Sequence, residues 1–304
     1  MRTRRRLIAL AAVALLVAGT NLAAGSAAPK KPIAENVIVM ISDGRGFEHD
    51  TAVSYYRYGM DDAQPHAHFP TRLAMSTYMA YDEGDCLGLG YDPAMAWSDF
   101  GYVTSCYTDS AAAATTMASG VKTYGGAIGV DLDRQPLLSI LELAEEFGKA
   151  TGVVTSVEWT HATPASFVAH NISRNNYAEI GTEMVYDSAA DVIMGAGHPW
   201  YGHSGEPMAI PNTYKYVGGV TTWNDLVAGT AGGDADGDGI ADPWTLIEER
   251  AEFQALMSGP TPKRVLGTAQ VYQTLQYSRA GDSYADPYVV PLTETVPTLE
   301  EMTK

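Results

Sequence analysis

The chain has 304 residues, 46% hydrophobic and 18% charged, a balance that excludes a disordered protein and suffices for one large domain or two small ones. With 19 basic against 36 acidic residues the formal net charge is −17. That charge excludes a general nucleic-acid binder and leaves any anionic substrate to local devices: a helix N-terminus, an arginine, metal ions.

In chain order, Arg2, Arg4, Arg5 and Arg6 form a basic head, Leu7 to Ala18 an apolar run, and small residues follow to Ala28. This is the order of a secretory signal peptide over residues 1–28, so a protein exported to the periplasm or the medium is expected, with the mature domain over 29–304. Thr3 to Ile8 also fits a twin-arginine signal loosely. Beyond this segment nothing is long and apolar enough for a stable membrane span. Residues 36–41, NVIVMI, predict a strand buried on both faces of a parallel sheet. Asp43 then falls past the strand's C-terminal end, where ligands collect in open α/β sheets; taken alone it also reads as a turn residue or a cap. His66 and His68 read as surface loop residues, because nothing nearby completes a metal site. Cys86 and Cys106, in an exported protein, read as a disulfide closing a loop of about 20 residues and worth roughly 3 kcal/mol, or else as two free thiols.

The alanine-rich run 111–119 predicts a helix ended by Gly120. Ser110 stands at its N-terminus, where unpaired N–H groups favour an anion and where serine is also an ordinary cap. Residues 137–147 predict an amphipathic helix ended by Gly148, and residues 152–156 and 191–195 predict strands. A helix between two strands is the unit that builds parallel sheets. The stretch 159–174, WTHATPASFVAHNISR, follows the first of these strands. Taken singly, Thr163 reads as a helix cap, Arg174 as a surface ion-pair partner and His170 as structural. Asp234, Asp236, Asp238 and Asp242 have the D-x-D-G-D-G rhythm of a calcium loop, with Thr245 at the place of the usual bidentate Glu. The same residues read equally as an acidic surface turn. A helix is expected over 244–251.

Three phrases carry a family resemblance: IVMISDGRGF (38–47), TDSAAAATTMASGVKTYGGAIGVD (108–131) and the stretch 159–174. Each resembles a segment of the alkaline phosphatases. The resemblance implies a three-layer α/β/α sandwich with a mainly parallel central sheet. It implies non-specific, alkaline phosphate-monoester hydrolysis through a phosphoserine. In that family pattern Ser110 is the nucleophile, Arg174 grips two phosphate oxygens and Asp109 orients Arg174. Asp43 bridges a zinc and the magnesium, Thr163 is a magnesium ligand and His161 lies beside that metal. The implied cofactors are two Zn2+ and one Mg2+, with Ca2+ as a further ion at 234–242. The family commonly has DGMG where this chain has Asp43-Gly44-Arg45-Gly46. A histidine at 161 makes zinc a competitor for the third site, because imidazole favours it.

Family members continue beyond Val296–Lys304 through further zinc and magnesium ligands. The expectation is therefore a partial catalytic domain, incomplete at its C-terminus, inactive alone and a poor zinc binder. Family members are often homodimers, and no patch of this sequence assigns an interface. Three other readings stay open: a dead phosphate- or metal-binding module, a phosphodiesterase on the same scaffold, and a calcium-stabilised interaction protein.

Overall fold

The computed structural model describes residues 34–80, 92–105, 107–282, 285 and 289–304. The segment expected as a signal peptide and the expected Cys86–Cys106 pairing lie outside the described residues. Residues 34–42 belong to one unit and Asp43–Lys304 form the other.

In the larger unit, helices α1 (Phe47–Tyr58), α2 (Pro93–Ser98), α3 (Phe100–Ser105), α4 (Ser110–Ser119) and α5 (Ile140–Glu146) come first. Strand β1 (Gly152–Glu158), helices α6 (Ala162–Ala165) and α7 (Tyr177–Tyr186), and strand β2 (Val192–Ala196) follow. Next are α8 (Gly219–Val227), β3 (Thr245–Ile247), α9 (Arg250–Leu256), β4 (Val265–Thr268) and α10 (Leu299–Thr303). The strands form one wholly parallel sheet in the order β1-β2-β4-β3.

Register explains the layers. Val153 pairs with Ile193 and Ile193 with Leu266, so these three side chains share a face. They pack with Ala111, Ala114 and Ala118 of α4, Ile180 and Met184 of α7, and Trp223 and Leu226 of α8. Val192, Met194 and Val265 point the other way and pack with Phe253 of α9 and Met302 of α10. Helices thus cover both faces of the sheet, as a parallel sheet requires, and the α/β expectation holds. Fully burying a side chain such as Ile193 or Leu266 contributes about 1.5–3 kcal/mol before chain entropy is subtracted.

Some expectations differ from the structure. Residues 36–41 form no strand and pair with none among the described residues; Val37, Ile38, Val39 and Met40 are exposed. A strand with both faces buried needs neighbours for its backbone groups, and the apolar run alone does not supply them. The helix expected over 244–251 is instead β3 followed by α9. Residues Thr245 and Leu246 pair with Val265 and Leu266, and the Glu249/Glu252 capping box starts the helix at Arg250, six residues after the expected start. Helix α5 begins three residues after the expected start, because Ser139 caps it and Glu142 completes the capping box. His66 lies in a single 3₁₀ turn, Pro65–His68, and its Nε2 faces Asp50 Oδ1 at 3.2 Å.

Candidate active site

The site forms where the N-terminus of α4 meets the residues that follow β1. Asp109 has an extended backbone, and its Oδ1 accepts the Ala112 N–H at 2.9 Å. Asp109 is therefore the helix cap, and Ser110 is left as the first helical residue. Freed from capping, the Ser110 hydroxyl donates to Asp43, at 2.9 Å from Oδ2 and 3.2 Å from Oδ1. Asp43 is carried to this place by the turn at Gly44, whose φ is +69°.

The second wall comes from the end of β1. Trp159 and Thr160 are buried, and the Trp159 indole N–H donates to Thr268 Oγ1 at 3.2 Å, tying the strand's end to β4. His161 is the cap residue of the short helix α6, which places Thr163 in its first turn. The Thr163 hydroxyl donates to Asp43 Oδ2 at 3.3 Å. One carboxylate thus receives hydroxyls from two helices that are far apart in sequence.

Arg174 closes the site from the loop between α6 and α7. Its Nη1 donates to Asp109 Oδ2 at 3.0 Å, and its Nη2 lies 3.2 Å from His161 Nε2. A guanidinium only donates, so His161 Nε2 accepts and the imidazole is neutral, with its proton on Nδ1. That Nδ1 is buried without a partner among the described residues. Burial holds the His161 pKa below its ordinary value, Arg174 pushes the same way, and Asp43 opposes them. Two of the five guanidinium N–H groups are engaged here, and among the described residues three remain for an anion.

Asp43, Ser110 and Thr163 fit a divalent-metal site, whereas His161, with Nε2 on Arg174 and its proton on Nδ1, would have to change tautomer to offer a ligand nitrogen. Asp43 offers two oxygens, Ser110 and Thr163 offer hydroxyls beside it, and the His161 Nδ1–H is a buried donor lacking an acceptor among the described residues. The oxygens suit magnesium and the imidazole suits zinc.

The other expected residues lie elsewhere. Asp234, Asp236 and Asp242 come together, while Asp238 turns away and accepts the Ile240 N–H at 2.8 Å. Lys263 donates to Asp236 at 2.8 Å and to Asp242 at 2.6 Å, so an ammonium already sits against two of the three carboxylates. Sequence reasoning missed Lys263, which no loop motif includes. It also missed His198, which is buried beyond the end of β2, with Nε2 2.5 Å from Glu248 Oε1 and Nδ1 accepting the Trp200 N–H. Arg264 was likewise unforeseen. Its buried guanidinium donates to the carbonyls of Ser188, Ala190 and Asp242 and lies over the Trp244 ring at 3.8 Å.

Comparison with known proteins adds the following. A family model described as alkaline phosphatase matches residues 34–304. The chain is 31% identical over 290 residues to alkaline phosphatase H of Pseudomonas aeruginosa, covering 90% of this chain and 56% of that protein. It is 41% identical over 168 residues to alkaline phosphatase 3 of Bacillus subtilis, covering 54% of this chain and 32% of that protein. The crystal structure of Thermus thermophilus alkaline phosphatase shares the fold, with a TM-score of 0.50 and 24% identity over 84% of this chain and 42% of that one. The chain thus spans between 32% and 56% of these two curated relatives.

Proposed function

This chain belongs to the alkaline phosphatase family, and on that premise we propose that it serves the hydrolysis of phosphate monoesters through a phosphoserine formed on Ser110. The observation that carries this reading is a convergence at one helix N-terminus. Ser110 Oγ, the Asp43 carboxylate and the Asp109-held guanidinium of Arg174 all meet there.

Ser110 Oγ attacks phosphorus as the bond to the leaving alcohol breaks. Asp43 Oδ2 accepts the Ser110 hydroxyl in a hydrogen bond and so aims Oγ; the hydroxyl proton passes to solvent, and the departing alkoxide takes one up from solvent. The spare N–H groups of Arg174 and the α4 N-terminus hold the equatorial oxygens, where charge is spread in the transition state. Asp109 keeps the guanidinium plane turned towards them. Water then breaks the Oγ–P bond and releases phosphate. Two Zn2+ and one Mg2+, when bound, would supply positive charge to the attacking and leaving oxygens, and Asp43, Ser110, Thr163 and, in its other tautomer, His161 would hold them.

The basic and apolar amino-terminal segment supports export from the cytoplasm, and family habit supports a homodimer. Calcium at the 234–242 loop would have to displace Lys263 from Asp236 and Asp242.

The test is mass spectrometry of the Ser110 peptide after incubating the protein, supplied with Zn2+ and Mg2+, with an aryl phosphate. Phosphate on Ser110 of this chain is expected, and, in the longer protein expected from the sequence, loss of turnover in Ser110→Ala. Wild-type turnover by Ser110→Ala would overturn the mechanism. Stoichiometric phosphorylation without turnover would identify a phosphate-binding module instead.

A further inference from the structure

His170 lies outside the cluster of groups around Ser110, yet both of its ring nitrogens face acceptors. Nδ1 is 3.1 Å from Glu183 Oε1, and Nε2 is 3.1 Å from the Leu137 carbonyl oxygen and 3.6 Å from Glu142 Oε1. A backbone carbonyl never donates, and a carboxylate donates only when protonated. A neutral imidazole has one N–H and can satisfy only one side, whereas an imidazolium satisfies both.

The place of this ring matters more than its charge alone. The His170 backbone N–H donates to the same Glu183 Oε1, at 2.8 Å, so main chain and side chain are stapled together to α7. The loop 171–176 leaves His170, carries Arg174 and enters α7. The staple therefore fixes the start of that loop to the helix at its end. On the other side, Leu137 donates its N–H to Gly129 O at 2.8 Å, Ile128 and Asn171 exchange backbone hydrogen bonds, and the Arg174 N–H donates to Gly126 O at 2.8 Å. Residues 126–137 run on from α4, the helix that begins with Ser110. His170 thus joins the wall that carries Arg174 to the wall that continues the Ser110 helix.

We propose that His170, as an imidazolium, is a positioning residue that holds the Arg174 loop in the geometry needed to grip phosphate. This rests on the function proposed above. The groups that face or surround the ring are Glu142 and Glu145 from α5, Glu183 from α7, Asp187 just after α7, and the Leu137 carbonyl. All the titratable ones are acidic and favour the charged ring, and the Glu183 hydrogen bond is the largest cause of a pKa above the ordinary histidine value. As pH rises through that value the ring loses a proton, one of its two sides loses its donor, and the loop loosens.

The experiment compares the metal-supplied wild type with His170→Gln and Glu183→Gln between pH 6 and 9. Amide hydrogen exchange is read over 170–176, inorganic-phosphate affinity by calorimetry, and histidine protonation by 15N NMR. The wild type should show both His170 nitrogens protonated at neutral pH, with faster loop exchange and weaker phosphate binding as the ring titrates. His170→Gln should bind phosphate about tenfold more weakly, with kcat for an aryl phosphate changed less than KM, and should lose the pH-linked part of the loop exchange. Glu183→Gln should move the wild-type pH transition to lower pH. A neutral His170 at pH 7, or loop exchange that ignores both variants, overturns the proposal whatever the activity. Loop exchange that responds as expected in a protein that binds no phosphate places the failure in the proposed function, and the positioning role falls with it.

Discussion

Asp43 Oδ2 accepts the Ser110 hydroxyl at 2.9 Å across 67 positions of sequence. This contact ties a residue just past the apolar run 36–41 directly to the proposed nucleophile. The same oxygen takes the Thr163 hydroxyl at 3.3 Å, so Asp43 is an acceptor shared by two helices.

Asp43→Asn tests that relationship. The amide keeps the size and one acceptor but loses the charge and one oxygen. Titration calorimetry with Zn2+ and Mg2+ should show affinity reduced on the order of 10- to 100-fold, with the melting temperature of the metal-free protein little changed. Unchanged metal affinity would reduce Asp43 to a turn residue.

Asp109 has two tasks that two substitutions separate. It caps α4 through Ala112 N–H, and it holds Arg174 Nη1 at 3.0 Å. Asp109→Asn keeps an acceptor for the cap but gives up the ion pair. Its stability should stay near wild type while phosphate affinity falls. Asp109→Ala should lose both, with about 1 kcal/mol of stability gone as well. Urea melts and phosphate titration distinguish the two, and equal phosphate affinity in all three proteins would remove Asp109 from the site.

How much of this was legible in the sequence follows from the range of the interactions. The helix at 111–119 and the strand at 152–156 announce themselves through local composition and periodicity, and their neighbours in the structure agree with it. The meeting of Asp43, Asp109, Ser110, His161, Thr163 and Arg174 could be expected only from family resemblance, since no spacing rule connects positions so far apart. The strand misread at 36–41 and the helix misread at 244–251 share one cause. A short apolar run acquires its conformation from its partners, and Thr245–Ile247 has β4 beside it whereas 36–41 pairs with no described strand. Lys263 and the double acceptor set around His170 depend on side chains brought from other elements, which a linear reading does not contain.

Gly129 is a position where a single methyl group should be felt at the site. Its φ is +58°, and a Cβ would lie 2.3 Å from the Ala169 carbonyl oxygen and 3.0 Å from His170 Cδ2. Gly129→Ala therefore pairs left-handed backbone strain with a collision against the main chain of the Arg174 loop. A loss of about 2 kcal/mol or more in thermal or urea unfolding is expected, together with weaker phosphate binding. A variant as stable as the wild type would mean that the loop yields freely, and it would weaken the case for a fixed Arg174.

Glu301 gives a pH dependence away from the site. Arg250 donates to both of its oxygens at 2.9 Å, Gln254 donates at 2.7 Å and the Thr298 N–H at 2.9 Å. With the Arg250 hydrogen bonds as the main cause, its carboxyl is held down to about 2. A carboxylate whose pKa is lower folded than unfolded contributes stability at pH values above its unfolded value, near 4.3. That contribution fades as pH falls from about 4.3 and is gone below the folded value. Glu301 sits in α10, whose Met302 packs on the same sheet face as Phe253, so the ion pair secures the docking of that helix. Glu301→Gln keeps the Thr298 capping box, which glutamine also forms, and removes the charge and one of the two oxygens that Arg250 bonds. Thermal melts should show the wild type more stable than Glu301→Gln at pH 7, with the gap closing between pH 4.5 and pH 2. A gap that persists unchanged at low pH would mean that packing of the side chain, not its ionisation, stabilises α10.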